Sequence, residues 1–167
     1  MVIPIAEGTK IDNHTISLSI MVSCNSTNRL TFKNQEKMFT VEQIKTAHCK
    51  VKSGADFPSY IKEIKTLGVT HYEAYVTDGH IDYHGTNDYT AKVPAKYEPL
   101  EIAANSKSEK FKAELIAHQQ GKTDFLTFIK MCATFGIEKW AIRMNKMTCT
   151  YYDKAGNVIL VEEIPQN

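Results

Sequence analysis

Residues 56–83, DFPSYIKEIKTLGVTHYEAYVTDGHIDY, decide the fold, because residues 124–151, DFLTFIKMCATFGIEKWAIRMNKMTCTY, repeat them. A shift of 68 positions aligns the two stretches without a gap and gives seven identities in 28 positions. In most of the other aligned pairs, both residues are apolar, as with Tyr72 and Trp140. The repeat therefore predicts two structurally equivalent units, and by itself it indicates no function.

The first unit begins with two predicted helices. Thr40 and Gln43 have the spacing of a capping box, which predicts a helix start at this point. Asp56 is placed to cap a second helix, whose apolar residues recur at helical spacing. Gly68 is placed to end that helix, because glycine is the usual residue after a helix C-terminus.

Predicted strands follow these helices. Polar and apolar residues alternate over residues 71–77 and again over 80–84, which is the pattern of half-buried strands. Asp78-Gly79 between them is a strong signal for a two-residue hairpin turn. A weaker third strand is predicted over residues 89–93, and a short strand at 100–102.

The second unit repeats this order. Helices are predicted after Ser108 and from Phe125, and strands over residues 139–145, 148–152 and 158–163. Neither three-stranded sheet could bury its apolar face alone. We therefore predict an α+β fold with two pseudo-symmetric ααβββ repeats, about residues 40–93 and 108–163. Their antiparallel sheets should share one core around an approximate two-fold axis.

Residues 1–37 have no counterpart in the repeat. They are rich in Ser, Thr and Asn and lack a sustained helical period. One interpretation is a disordered N-terminal arm. The other is a mis-assigned start, because the codons for Gln35-Glu36, just before Met38, can contain a ribosome-binding sequence. Under either interpretation, residues 38–167 are predicted to form a single α+β domain, as their number suggests.

The charge balance argues against a nucleic-acid partner. The chain has 20 Lys and Arg against 19 Asp and Glu, for a net charge of +1. Only Arg29 and Arg143 are arginines, so the predicted domain is neutral and contains one arginine. Nucleic-acid binding normally relies on clustered positive charge, and base recognition on arginine in particular.

Hydropathy and cysteine usage predict a cytoplasmic protein without a membrane partner. No stretch reaches the 18 or so apolar residues that a transmembrane helix needs. None of the four cysteines forms a C-x-x-C pair, which is typical of a reducing compartment. The repeat aligns Cys132 with Ile64 and Cys149 with Ile81, so both are predicted to be small core residues.

The first predicted hairpin gathers polar residues on one face. With a two-residue turn, Glu73 would pair with His84 and Tyr75 with Asp82, and His80 would lie on the same face. Two histidines and a carboxylate form a recurrent divalent-metal set. His80, Asp82 and His84 would stand about 7 Å apart along the strand, and Glu73 could close a site with His84. The alternative is an ordinary solvated face of an antiparallel sheet.

Three other histidines are further candidates. His71 is predicted one step beyond this cluster on the same face. His48 and His118 each follow an alanine late in the first helix of their unit, so a two-fold axis could bring them together as a proton-active or metal-binding pair. The alternative is that each imidazole interacts with the negative C-terminal end of its own helix.

Several stretches resemble a known family. They are FTVEQIK from Phe39, GADFP from Gly54, GVTHYE from Gly68, HQQGKTD from His118 and MTCTYYDKAGN from Met147. These stretches resemble the YbcV-like family of bacterial and prophage proteins, domain-of-unknown-function family 1398, whose members are often labelled "phage envelope protein". The resemblance covers about residues 38–165. It implies an α+β fold and a phage or prophage association, and it supplies no catalytic residue.

The sequence contains no Ser-His-Asp order, nucleophile elbow or Rossmann fingerprint. The leading hypothesis is therefore a non-enzymatic binding or interaction protein of phage or prophage origin. It would have no cofactor, and its partner would be a protein or small molecule that the sequence does not identify. The alternative is a divalent-metal-binding protein or metal-dependent enzyme that uses the hairpin cluster. Association with a virion is implied by the family label alone.

Overall fold

The structure is a computed structural model that describes residues 38–51 and 56–166. These residues form four helices and six strands in the predicted ααβββ ααβββ order. The helices are α1 (Val41–His48), α2 (Phe57–Leu67), α3 (Ser108–Gln119) and α4 (Phe125–Thr134). The strands are β1 (His71–Tyr75), β2 (Ile81–His84), β3 (Thr90–Val93), β4 (Lys139–Arg143), β5 (Thr148–Tyr152) and β6 (Val158–Glu163). The α+β prediction is confirmed, whereas the two interpretations of residues 1–37 fall outside the described residues.

All six strands belong to one antiparallel sheet with the order β3-β2-β1-β4-β5-β6. At its centre, β1 pairs with β4 and Glu73 faces Ala141. These two residues are 68 positions apart, which is the shift of the sequence repeat. An antiparallel pair that aligns equivalent positions has a local two-fold axis between them. The two predicted three-stranded sheets thus join edge to edge at this axis.

The helices cover one face of the sheet. Four aromatic residues of β1, β2, β4 and β5 are buried and share one core cluster with the apolar faces of the helices. These residues are Tyr72, Tyr83, Trp140 and Tyr151. Helix α1 contacts α2 and β3, and α3 contacts α4 and β6, so the two units have equivalent packing. Cys132 and Cys149 are buried in this core as predicted.

Local sequence signals set three of the helix ends, but Asp56 precedes α2 without the predicted side-chain capping bond. Thr40 and Gln43 form the predicted capping box, in which Thr40 Oγ1 accepts from Gln43 N at 3.2 Å and Gln43 Oε1 accepts from Thr40 N at 2.8 Å. Gly68 ends α2 in the left-handed conformation, with φ of 108°. Asp124 caps α4 by accepting a backbone N–H bond at 2.7 Å.

The turn of the first hairpin is wider than predicted. Tyr75 N donates to His80 O at 3.0 Å, and Gly79 N donates to Tyr75 O at 3.0 Å. Residues 76–79 therefore form a four-residue loop, and the predicted two-residue turn at Asp78-Gly79 is wrong. The observed loop is bonded to other segments of the chain, since Val76 N donates to Glu138 O at 2.9 Å and Lys96 N donates to Asp78 O at 2.8 Å.

The second unit has the same loop with a different sequence. Met144 and Met147 are the repeat equivalents of Val76 and Gly79, and Met144 is buried as Val76 is. Met147 has a positive φ of 50°, compared with 77° for Gly79. Burial of the first loop residue and a left-handed last residue thus define both turns, whether or not a glycine is present.

The wider loop moves the register of the first hairpin by two residues. His71 faces His84, and Glu73 faces Asp82. The predicted pairs Glu73–His84 and Tyr75–Asp82 are therefore wrong. A shift of two residues keeps every side chain on its predicted face, because strand side chains alternate with a period of two.

Residues 100–102 do not form the predicted short strand. This segment is held as an irregular connection in which Leu100 N donates to Thr77 O at 2.6 Å and Ala103 N donates to Ala133 O at 2.9 Å. Ile102 is buried between these bonds and anchors the connection between the two units to the core.

Candidate functional site

The sheet face opposite the helices, here called the outer face, carries three rows of side chains that run across the strands. The histidine row is Thr90, His84, His71, Arg143, Thr148 and Glu163. The middle row is Lys92, Asp82, Glu73, Ala141, Thr150 and Val161. The tyrosine row is His80, Tyr75, Lys139 and Tyr152. No helix among the described residues packs on this face.

The middle row places two carboxylates opposite each other. Glu73 faces Asp82, an arrangement that is destabilising unless each charge is compensated. Lys139 Nζ lies 3.0 Å from Glu73, and Lys92 Nζ lies 3.2 Å from Asp82. Partial burial alone would raise the pKa of Glu73, but hydrogen bonds from Lys139 and Tyr75 outweigh it and hold that pKa below its ordinary value. Both carboxylates are therefore paired within the face.

The tyrosine row is also paired internally. Lys139 Nζ lies 5.3 Å from the ring centroid of Tyr75 and 5.8 Å from that of Tyr152, which is cation–π range. His80 stacks on Tyr75 at 4.1 Å, and its Nδ1 pairs with the Asp78 carboxylate in the turn. The cations of this row thus have acidic or aromatic partners within the protein.

The histidine row contains a pair of stacked imidazoles. The rings of His71 and His84 are parallel, with centroids 4.3 Å apart and planes 3° apart. The Thr70 hydroxyl donates to His84 O at 3.1 Å and lies 3.1 Å from His71 Nδ1. A hydroxyl can donate to an imidazole nitrogen or accept from it, so this contact positions the His71 ring in either tautomer.

Arg143 adds a permanent positive charge next to this pair. It faces His71 across β1 and β4. Among the described residues, no carboxylate lies within 4.0 Å of its guanidinium. Partial burial, then His84 and Arg143, lower the pKa of His71, while Glu73 acts in the opposite direction. The row thus concentrates positive charge that the protein itself leaves uncompensated.

This lowered pKa predicts how stability depends on pH. The unfolded chain, with a histidine pKa near 6.5, takes up a proton before folded His71 does, so stability falls as the pH drops from 6.5 through the folded-state pKa. We expect His71→Gln to lose less stability than the wild type over this interval. Urea unfolding at about pH 7.5 and about pH 5 measures the difference. Equal losses in the two proteins would contradict the assignment.

The structure places the predicted metal candidates on one face without assembling them into a site. Glu73, His80, Asp82 and His84 all lie on the outer face, as do His71 and Tyr75. The expected closure by Glu73 and His84 is absent, because Glu73 faces Asp82 and bonds to Lys139 and Tyr75. Within the described ranges, no group of three or more His, Cys, Asp or Glu side chains is arranged to hold a metal ion.

His48 and His118 occupy equivalent places in the two units. His48 packs edge-on against Tyr60 at 5.2 Å, and His118 stacks on Phe128 at 4.2 Å. Tyr60 and Phe128 are themselves repeat equivalents. His118 is buried, and its Nδ1 lies 2.9 Å from the Thr123 hydroxyl. Each imidazole thus has an aromatic partner in its own unit, and a pairing of the two histidines with each other stays a prediction.

A separate cleft of about 200 Å³ lies between the start of α2 and the end of β6. Phe57, Pro58, Ile164 and Pro165 supply its apolar walls. Its polar wall includes Glu162, which already accepts hydrogen bonds from Gln119 at 2.8 Å and from Tyr151 at 3.2 Å. Glu162 thus already has hydrogen-bond partners within the protein. The cleft therefore has fewer polar groups left to bind a ligand than the histidine row has.

The sequence pattern indicated the histidines of the outer face but not its arginine. Arg143 comes from the other repeat unit and reaches His71 only because β1 and β4 pair at the two-fold axis. The repeat contained the information that places Arg143 opposite His71. If equivalent strands pair in antiparallel fashion around Glu73 and Ala141, then Arg143 must face His71 and Lys139 must face Tyr75.

These features define a class of two-layer α+β proteins in which two ααβββ units share a sheet with one helix-covered and one polar face. Residues 45–163 match the family described as "Protein of unknown function (DUF1398)", and the chain belongs to that family. Among curated proteins, no match to the chain is found. None of the described helices has the length and apolar character needed to cross a membrane.

Proposed function

We propose that this protein is a non-enzymatic binding module, that the outer face is its binding surface, and that its partner is a protein with an acidic surface segment. The observation that carries the proposal is the histidine row. It places His84, His71 and Arg143 side by side on three neighbouring strands. All three side chains are partly exposed, so a partner could reach them.

Charge complementarity supports an acidic partner. The carboxylates of the middle row are paired with Lys139 and Lys92, which leaves Arg143 as the cation of the described outer face that has no carboxylate within 4.0 Å. Glu163 belongs to the same row but lies two strands from Arg143, roughly 10 Å away at ordinary strand spacing. A partner carboxylate or phosphate placed over Arg143 would supply the missing countercharge. Such complementarity contributes mainly to specificity and association rate.

The dimensions of the face suit a short segment of a partner protein. Six strands span roughly 25 Å across at a spacing of about 4.8 Å. Tyr75 and Tyr152 contribute aromatic surface, and Val158 and Val161 are exposed hydrophobic residues on β6. Aromatic residues and arginine are enriched among the residues that dominate protein interfaces. This composition supports a protein interface in which the histidine row supplies the polar contacts and β6 supplies an apolar edge.

We also propose a phage or prophage association and a cytoplasmic location. The first rests on the resemblance to the YbcV-like proteins and on their usual label. The second rests on the cysteines, since Cys132 and Cys149 are buried and unbridged and Cys49 is exposed as a free thiol.

Reversing the charge at Arg143 is expected to weaken partner binding about tenfold or more, because Arg143→Glu would repel an acidic segment. The partner would be captured from bacteria that carry the parent prophage, identified, purified and titrated by calorimetry. Lys112→Glu is the matched control, because Lys112 is exposed on α3 and the substitution makes the same change in charge. A partner that binds Arg143→Glu as tightly as the wild type would contradict the proposal. Catalytic turnover of the partner would contradict its non-enzymatic part.

A further inference from the structure

We propose that His71, His84 and Arg143 form a pH-dependent site for a single oxyanion, a phosphate or carboxylate group. This inference deepens the proposed function, on which it rests, by naming the chemical group that the outer face recognises. The three side chains come from β1, β2 and β4, which are neighbours in the sheet. Their positions in one row place all three on the same face and at the same height.

The geometry matches what an oxyanion requires. The His71 and His84 rings stack 4.3 Å apart, so their edges can point to the same side. Arg143 lies on the neighbouring strand beyond His71, at a strand spacing of about 4.8 Å. A guanidinium presents two parallel N–H donors to a carboxylate or phosphate. The hydroxyls of Thr90 and Thr148 flank these three side chains within the row and offer further donors.

Protonation of His71 would strengthen anion binding at this site. Neutral His71 has one donor and one acceptor nitrogen, and its Nδ1 lies against the Thr70 hydroxyl. Protonation makes both nitrogens donors and adds a positive charge beside Arg143. The anion in turn relieves the repulsion among His71, His84 and Arg143. Proton and anion binding therefore strengthen each other, as linked equilibria must.

The charged groups around the row do not already fill this role. Glu73 follows His71 on its own strand and is bound by Lys139 and Tyr75. Asp82 is paired with Lys92 on β3. From β6, Glu163 is exposed and is separated from Arg143 by Thr148. An external anion is thus the countercharge that this row lacks among the described residues.

The test is a titration of the intact protein with inorganic phosphate at about pH 6, followed by NMR of the histidine side chains. We expect the His71 and His84 signals to shift and saturate, and the pKa of His71 to rise in the presence of phosphate. Arg143→Gln should weaken the apparent affinity about tenfold, which is the scale of one charge-assisted bidentate contact. Lys112→Gln, which removes an exposed cation from α3, should leave the affinity unchanged.

Parallel titrations with acetate and with chloride at equal ionic strength separate the sources of the anion. Saturation by phosphate but not acetate would support a phosphate-type ligand, and saturation by acetate would support a carboxylate-type ligand. Responses to phosphate and acetate no larger than to chloride would overturn the site, because screening alone would then explain them. A uniform response of all observed histidines would overturn it as well.

The result of the phosphate titration can be distinguished from the result of the partner-binding test of the proposed function. If phosphate saturates the site but Arg143→Glu keeps its partner, the oxyanion site stands and the proposed binding function fails. If phosphate has no effect but Arg143→Glu loses its partner, the outer face stands as the binding surface and the discrete oxyanion site fails.

Discussion

Replacing Gly136 with alanine is expected to lower the free energy of unfolding by roughly 2–4 kcal/mol. Gly136 follows α4 with a φ of 76°, and an added Cβ would lie 2.9 Å from Asn105 O and 3.0 Å from the Ser106 Cα. Both neighbours are backbone atoms, so neither can rotate away as a side chain could. The left-handed conformation alone costs an alanine roughly 1–2 kcal/mol, and the contact adds to that cost.

Gly156→Ala is the matched control for this substitution. Gly156 has a similar φ of 81°, but an added Cβ would meet nothing within 4 Å. Its replacement should cost only the conformational penalty, roughly 1–2 kcal/mol. Urea unfolding of both variants measures the difference between them. Equal destabilisation would mean that the connection between the units can move away from Gly136.

The close approach at Gly136 also explains the strand that was predicted at residues 100–102 and is absent. The connection between the two units bonds to the end of α4, through Ala103 N to Ala133 O at 2.9 Å and Lys107 N to Phe135 O at 3.1 Å. An alternating stretch of sequence becomes a strand only if a sheet edge is available to it. Here the backbone bonds are satisfied by a helix end instead.

The repeat made most of the fold predictable. Internal similarity specified the order of elements, and the alternation in each strand identified which side chains enter the core, as Tyr72 and its equivalent Trp140 do. Helix ends followed from short-range signals such as the capping box at Thr40. These features depend on neighbouring residues, which is why a single sequence contains enough information about them.

The register of the first hairpin was not predictable in the same way. Asp78-Gly79 is a favourable two-residue turn locally, but the wider loop bonds to distant segments, through Val76 N to Glu138 O and Lys96 N to Asp78 O. The outer face depended still more on tertiary structure. His71 and His84 were identifiable as neighbours on one face, whereas the approach of Arg143 required the pairing of two strands from different repeat units. A partner across the two-fold axis leaves no signal in the local pattern of either strand.

The shared core itself can be tested with two equivalent isoleucines. Ile61 in α2 and Ile129 in α4 are repeat equivalents, and their side chains are 0% and 1% exposed. Ile61→Ala and Ile129→Ala are each expected to lower the free energy of unfolding by about 2–5 kcal/mol, the usual cost of truncating a buried isoleucine. Lys130→Ala, at an exposed position on the same helix as Ile129, should change stability by less than about 0.5 kcal/mol.

The shape of the unfolding curve decides between one core and two. Because β1 and β4 join the units in one sheet and the buried residues form one cluster, either truncation should weaken the whole domain. Each variant should then unfold in a single transition with an unchanged dependence on urea, whether tryptophan fluorescence or far-UV circular dichroism is followed. Trp140 reports on the second unit, but its strand pairs with β1, so it should also detect Ile61→Ala. A fluorescence transition unmoved by Ile61→Ala, while circular dichroism shifts, would mean that the two units unfold independently.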